Sequence, residues 1–204
     1  MSTAILAKRP VLVDRLGATS VLTNVLYVAA GVSLLALSAQ VQIPMWPVPI
    51  TGQTFAVLAV GATYGVWRAL TTTSVYVLLA IAGLPILAPQ SDGTDTTGFA
   101  VFALPTFGYL IGFVLASVVL GWFAERKWER KFLTALASFI IAEAIIYAVG
   151  LPWLSVWLGA HSIPNDLSST LAMGFTPYLV GDVIKAALAA GLLPLSWKLI
   201  SLKK

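Results

Sequence analysis

The sequence has no cysteine, a single histidine, and charge on only 10% of its 204 residues. Without cysteine there can be no disulfide, thiolate nucleophile or thiolate metal site. The lone histidine, His161, has no partner at metal-ligand spacing and reads as a surface residue in an outer loop. The scarcity of charge is the most restrictive absence, because a soluble domain carries about 25% charged residues. Here 59% of residues are hydrophobic, and the mean hydropathy is +0.93. A soluble chain of this composition would have too little polar surface to wrap its core, whereas lipid solvates an apolar exterior. Catalytic signatures are missing as well. There is no phosphate-cradling P-loop, no His-Glu-x-x-His, and Gly31-Val-Ser33 lacks the flanks of a nucleophile elbow. The chain is therefore not expected to hydrolyse ATP, and uphill transport would draw on a partner or an ion gradient.

What is present is a series of long apolar segments. A crossing needs about 20 helical residues to traverse a hydrocarbon core of about 30 Å. Six candidates follow: Val21 to Ala39, Thr54 to Trp67, Leu70 to Leu87, Val101 to Phe123, Leu133 to Leu158 and Ala172 to Ser196. The expected fold is an all-α membrane protein of six transmembrane helices forming one domain over residues 1–204. Residues 1–20 are expected to be a cytoplasmic N-terminal segment and residues 197–204 a basic cytoplasmic tail. No small-residue cleavage site follows a short apolar stretch, so no cleaved signal peptide is expected.

Basic residues set the orientation, since lysine and arginine accumulate in cytoplasmic loops. Lys8, Arg9 and Arg15 precede the first span, and Arg68 separates the second from the third. Arg126, Lys127, Arg130 and Lys131 separate the fourth from the fifth, and Lys198, Lys203 and Lys204 follow the sixth. The alternate loops, residues 40–53, 88–100 and 159–171, contain neither lysine nor arginine. Eleven of twelve basic residues thus fall on one side, both termini are cytoplasmic, and the count of spans is even. The net charge of +4 is a topology signal and does not indicate nucleic acid. Trp67, Trp122, Trp128 and Trp197 adjoin the basic segments, as an interfacial belt would. On the outer side, the three prolines of Pro44 to Pro49 predict a stiff extended loop, and the polar stretch Pro89 to Gly98 predicts a mobile one.

The twelfth basic residue, Lys185, lies inside the sixth span, three residues after Asp182. Three helical steps separate side chains by about 60° around the axis and about 4.5 Å along it. The two share a face and can pair or grip one ligand. A charge at mid-membrane costs at least about 2.5–3.5 kcal/mol on insertion scales, so such residues face a bundle interior and serve a function. The plainer alternative is a mutually neutralised pair that pins helix packing. Pro177 shortly before the pair places it in the outer half. Glu143, four residues before Tyr147, is the other intramembrane carboxylate. Counted along its own span it lies nearer the cytoplasm, so it is not expected to grip the same small ligand. Helix packing is its expected role, with proton carriage as the alternative. Trp153 and Trp157, after the expected kink at Gly150-Leu-Pro152, read as outer-belt residues, and Ala29 and Ser33 form one small-residue step on the first span.

Several motifs occur in a familiar order: Ser38-Ala-Gln-Val-Gln-Ile-Pro44, Pro47-Val-Pro-Ile-Thr-Gly-Gln-Thr54 and Ala82-Gly-Leu-Pro85. Then come Leu104-Pro-Thr-Phe-Gly-Tyr109, Ile145-Ile-Tyr-Ala-Val-Gly-Leu-Pro-Trp153 and Gly181-Asp-Val-Ile-Lys185. Together they resemble the BioY family, the biotin-specific substrate-binding (S) components of energy-coupling-factor (ECF) transporters. The resemblance covers roughly Ser38 to Ala190.

The resemblance implies a six-helix S-component fold in the cell membrane, with a biotin pocket near the outer face. It implies no cofactor, with biotin as the transported ligand, and partners comprising a transmembrane coupling subunit and two ATPase subunits. By the family's Asp-x-x-Lys motif, Asp182 and Lys185 would contact biotin. Asp182 can accept from ureido N–H groups, while Lys185 can donate to an oxygen and neutralise Asp182 when the pocket is empty. Gln53 would offer a donor and an acceptor at the mouth, and Tyr109, Tyr147 and Tyr178 would supply walls and hydroxyls. Two departures stand out. Phe107 occupies a family glycine position, and no outer loop carries a base for the biotin carboxylate. Competing readings are an S component for another vitamin, a solitary gradient-driven carrier using Glu143, and a membrane enzyme using Asp182 and Lys185 as acid and base.

Overall fold

The computed structural model describes residues 10–17 and 20–202, so Lys8, Arg9, Lys203 and Lys204 lie outside the described residues. Helix α1 (Val21–Gln40) starts at Ser20, whose hydroxyl accepts from the Thr23 amide at 3.1 Å. It ends where Val41 turns extended, and a short antiparallel hairpin follows, β1 (Gln42–Ile43) with β2 (Ile50–Thr51). The expected stiff loop is thus a hairpin, folded back so that the Gly52 amide donates to the Ser38 and Val41 carbonyls at 3.1 and 2.9 Å. Helices α2 (Gln53–Tyr64) and α3 (Val66–Ile81) are separated by Gly65, which has a φ of +77°. A residue with a side chain would be strained in that conformation.

Helix α4 (Phe107–Ala124) is central, packed against α2, α3 and α5 (Phe132–Ala160). A short outer helix α6 (Leu167–Gly174) precedes α7 (Leu179–Leu202), which packs on α5 and α2. Close packing around α4 depends on glycine. A Cβ on Gly112 would lie 2.9 Å from the Ile146 Cα of α5, and one on Gly121 would lie 2.5 Å from the Val66 amide nitrogen. The outer surfaces of the bundle remain apolar: Val21, Leu26 and Leu37 of α1 and Val183, Leu188 and Leu195 of α7 are exposed. Lipid solvates such a surface without penalty.

Six helices correspond to the six expected spans, with shifted ends. The fourth starts at Phe107 instead of Val101, because residues Gly98–Ala103 form a 3₁₀ turn and Leu104 is held extended before Pro105. The sixth was expected to start at Ala172, but the Phe175-Thr-Pro177 break divides that stretch between α6 and α7. At the other end, α7 continues through the start of the expected basic tail to Leu202. Helix α5 runs on through Pro152. Four described helices are long and apolar enough to cross unaided: α1, α4, α5 and α7. At 12 and 16 residues, α2 and α3 rise only about 18 and 24 Å. On the outer side, the hairpin precedes α2 and an exposed turn follows α3.

The cytoplasmic end is tied together by the residues that set orientation. Arg68 pairs with Asp14 at 2.7 Å and donates to Asn24 at 2.7 Å, while Arg130 donates to the Pro10 carbonyl at 3.2 Å. Arg126 lies 3.4 Å over the Trp122 ring and Arg130 3.8 Å over that of Trp197. Two of the expected belt tryptophans therefore also serve as platforms for guanidinium groups.

Candidate functional site: a charged cavity in the outer half

Four helices and two outer loops enclose a cavity of about 710 Å³, counting the space open to solvent. From α7 come Asp182 and Lys185, with Tyr178 just before the first turn; from α5 come Glu143, Ile146 and Tyr147. From α4 come Tyr109, Leu110 and Phe113, and Gln53 and Thr54 come from the start of α2. The other end is lined by Val48, Pro49 and Thr51 of the hairpin and by Leu87, Ala88 and Gln90 of the next outer loop. All six residues singled out from sequence line this one cavity.

Asp182 is 6% exposed and sits among donors from three helices. Lys185 Nζ lies 3.2 Å from Asp182 Oδ1 and also donates to Thr54 Oγ1 at 2.9 Å. The Tyr147 hydroxyl donates to Asp182 Oδ2. The i, i+3 pairing read from sequence is thus an ion pair, fixed by Thr54 of α2 and Tyr147 of α5.

The tyrosines differ from expectation in how their hydroxyls are used. Tyr109 donates to the Gly174 carbonyl at 2.9 Å, and Tyr178 to the Val48 carbonyl at 2.5 Å. These two give the cavity walls, while their hydroxyls hold α6 and the hairpin in place. Tyr109, Tyr147 and Phe175 form an edge-to-face column, with centroid distances of 6.3 and 4.8 Å. Gln53 was expected at the mouth but is buried, and its amide donates to the Tyr76 hydroxyl at 2.7 Å. Tyr76 in turn donates to the Ile86 carbonyl at 2.8 Å, and Gln40 donates to that of Leu87 at 3.1 Å. Polar side chains behind the cavity therefore anchor the start of the second outer loop.

That loop was expected to be mobile; its tip is a hydrogen-bonded turn. Gln90 donates its amide to Thr94 O at 2.8 Å, and the Asp92 carboxylate accepts from the Thr94 amide and hydroxyl. Those bonds, the hydroxyl's foremost, hold the Asp92 carboxyl below its ordinary pKa. Trp153 and Trp157, expected in the outer belt, donate their indole N–H groups to the Leu104 and Ala103 carbonyls, each at 2.8 Å. They clamp the chain before α4 onto α5. His161 stacks on Trp157 in an exposed position, and no group able to hold a metal ion occurs among the described residues.

Glu143 requires a correction. It was placed too deep to share a ligand with Asp182, yet it lines the same cavity. The Tyr147–Asp182 contact sets the register between α5 and α7, and Glu143 lies one turn from Tyr147 on that face. Depth counted along each helix separately could not show this. Thr54 was missed as a site residue, although it ends the quoted Pro47 to Thr54 motif.

The sequence profile of the BioY family matches residues 9–202. The chain belongs to the BioY family. Among BioY relatives, the "Biotin transporter BioY" of Thermotoga maritima is 34% identical over 158 residues, covering 78% of this chain and 86% of that protein. That of Rhizobium etli is also 34% identical, over 169 residues, covering 79% and 84%. That of Rhodobacter capsulatus is 37% identical over 163 residues, covering 74% and 80%. A crystal structure described as the S-component for biotin from an ECF-type ABC transporter superposes with a TM-score of 0.68. It is 25% identical, and the match covers 89% of this chain and 95% of that one. BioY membership and these apolar helices make the chain a multi-pass membrane transport protein and not an enzyme.

Proposed function

We propose that this BioY chain captures biotin from the outer side of the cell membrane as the S component of an ECF transporter. A transmembrane coupling subunit and two ATPase subunits would supply the energy. The observation that carries the reading is the Asp182–Lys185 ion pair on the wall of an apolar cavity in the outer half of the bundle. A ureido ring presents N–H donors and a carbonyl acceptor, which match a carboxylate and an ammonium. The bicyclic body then lies against Leu110, Phe113 and Ile146, and the valerate chain runs outward toward Thr106 and Gln90.

Calorimetric titration of the purified protein tests this reading. Tight biotin binding is expected, with most of it removed by Asp182→Asn or Lys185→Ala. Unchanged affinity in both variants would overturn the site. A competition panel of other vitamins separates biotin from an alternative ligand, and uptake that an uncoupler abolishes at constant ATP would identify a gradient-driven carrier.

A further inference from the structure

Glu143 is 8% exposed, and neither of its carboxyl oxygens has a hydrogen-bond partner. Helix packing does not explain it, because a packing role would show a donor on a neighbouring helix. The donors nearest in the site are engaged elsewhere: Lys185 with Thr54 and Asp182, and Tyr147 with Asp182. A buried carboxyl left unpaired is costly, and within a membrane such a group marks a site of function. It lines the same cavity as Asp182 and Lys185. The cavity therefore presents two carboxyl groups and one ammonium, one acceptor group more than the ion pair uses.

We propose that Glu143 is a third ligand-binding residue, accepting one of the two ureido N–H groups while Asp182 accepts the other. This rests on the biotin reading. A cyclic urea carries two N–H donors on either side of one carbonyl oxygen. Its full complement is two acceptors flanking one donor, and Glu143, Asp182 and Lys185 supply that set. With only the motif pair, the second N–H would have no carboxyl partner. Glu143 thus sets specificity for a ring with two N–H groups over analogues that have lost one.

The test is a chemical cycle between side chain and ligand. Titrations use biotin and its two mono-N-methyl derivatives, one for each ureido nitrogen, against wild type, Glu143→Gln and Glu143→Leu. Biotin affinity should fall about five- to tenfold in Glu143→Leu, the scale of one hydrogen bond, and less in Glu143→Gln. In Glu143→Leu, methylating one nitrogen should cost nothing further, while methylating the other should remain as costly as in wild type. Wild-type biotin binding, together with variants that bind biotin within twofold of wild type, overturns the inference. So does an equal loss for all three ligands. Wild-type protein that binds no biotin overturns the biotin reading itself, a distinct result. Glu143→Gln keeps size and shape, so the cycle can be read even where Glu143→Leu fails to fold.

Discussion

The hydroxyl of Tyr147 on α5 donates to the Oδ2 oxygen of Asp182 on α7. Asp182 is therefore oriented from both sides, since its other oxygen faces Lys185 at 3.2 Å. Tyr147→Phe removes the orienting donor and keeps the ring in its column with Tyr109 and Phe175. A hydrogen bond to a charged group contributes about 1.5–3 kcal/mol, so biotin affinity should fall about tenfold or more. The melting temperature should fall as well, because the bond is already made without ligand. Unchanged affinity by calorimetry would mean that Tyr147 does not position Asp182.

Lys185 is the counterion of Asp182, and its removal leaves that buried carboxylate without one. Breaking one side of a buried pair costs about 3–5 kcal/mol, because the remaining charge is left uncompensated. Lys185→Met should therefore lower thermal stability strongly. Adding Asp182→Asn should restore much of the stability while leaving biotin binding lost. Thermal unfolding of the two single variants and the double variant measures this coupling. Strict additivity of the two stability losses would show that the pair does not act as a unit.

Lys185 is the one cation among the cavity-lining residues, and it is engaged with Asp182. On the biotin reading, the valerate carboxylate is therefore expected to meet hydroxyl, amide and backbone donors. Replacing biotin by its methyl ester removes the ligand's charge and retains its acceptor oxygens. The loss should be no more than about fivefold, the scale of one neutral hydrogen bond. A loss of about a hundredfold or more, measured by competition, would require a cation at the outer end.

Two glycines give a paired test of the packing that holds α5 in register. Gly112 has its Cβ direction blocked by the Ile146 backbone, whereas nothing lies within 4 Å of that direction at Gly181. Gly112→Val should destabilise by about 1–3 kcal/mol through overpacking. Biotin affinity should fall too, because α5 carries Glu143 and Tyr147. Gly181→Ala should leave both unchanged or raise stability slightly, as alanine favours a helix by about 0.5–1 kcal/mol over glycine. Equal melting temperatures for the two variants would contradict this packing.

The sequence was most informative where a single helix sufficed. Asp182 and Lys185 share a face by helical geometry, and their charge in an apolar run singled them out. Features between elements could not be read in the same way. The hydroxyls of Tyr109 and Tyr178 bond to carbonyls 65 and 130 residues away. Glu143 joins the cavity through a register that exists only once α5 and α7 pack. The breaks before α4 and α7 carried local signals in Pro105 and Pro177, but continuous hydropathy across them joined segments that the backbone separates.

The outer helix α6 provides a pH-dependent test of how the cavity is buttressed. Asp166 caps it, accepting from the Ser169 amide at 3.2 Å and from the Ser169 hydroxyl at 2.5 Å. These bonds, the hydroxyl's foremost, hold the Asp166 carboxyl below its ordinary pKa. A carboxyl lowered in the folded state contributes stability that is complete above its unfolded value of about 3.9. That contribution is lost as the pH falls through the lowered native value. Residues 167–174 should therefore exchange amide hydrogens faster at pH 3 than at pH 6, after correction for intrinsic rates. Asp166→Asn keeps a capping oxygen without the charge and should flatten this dependence. Because the Gly174 and Met173 carbonyls accept from Tyr109 and Tyr178, fraying of α6 should also loosen the cavity wall. An acid-induced rise in exchange of equal size in Asp166→Asn would place the sensitivity elsewhere.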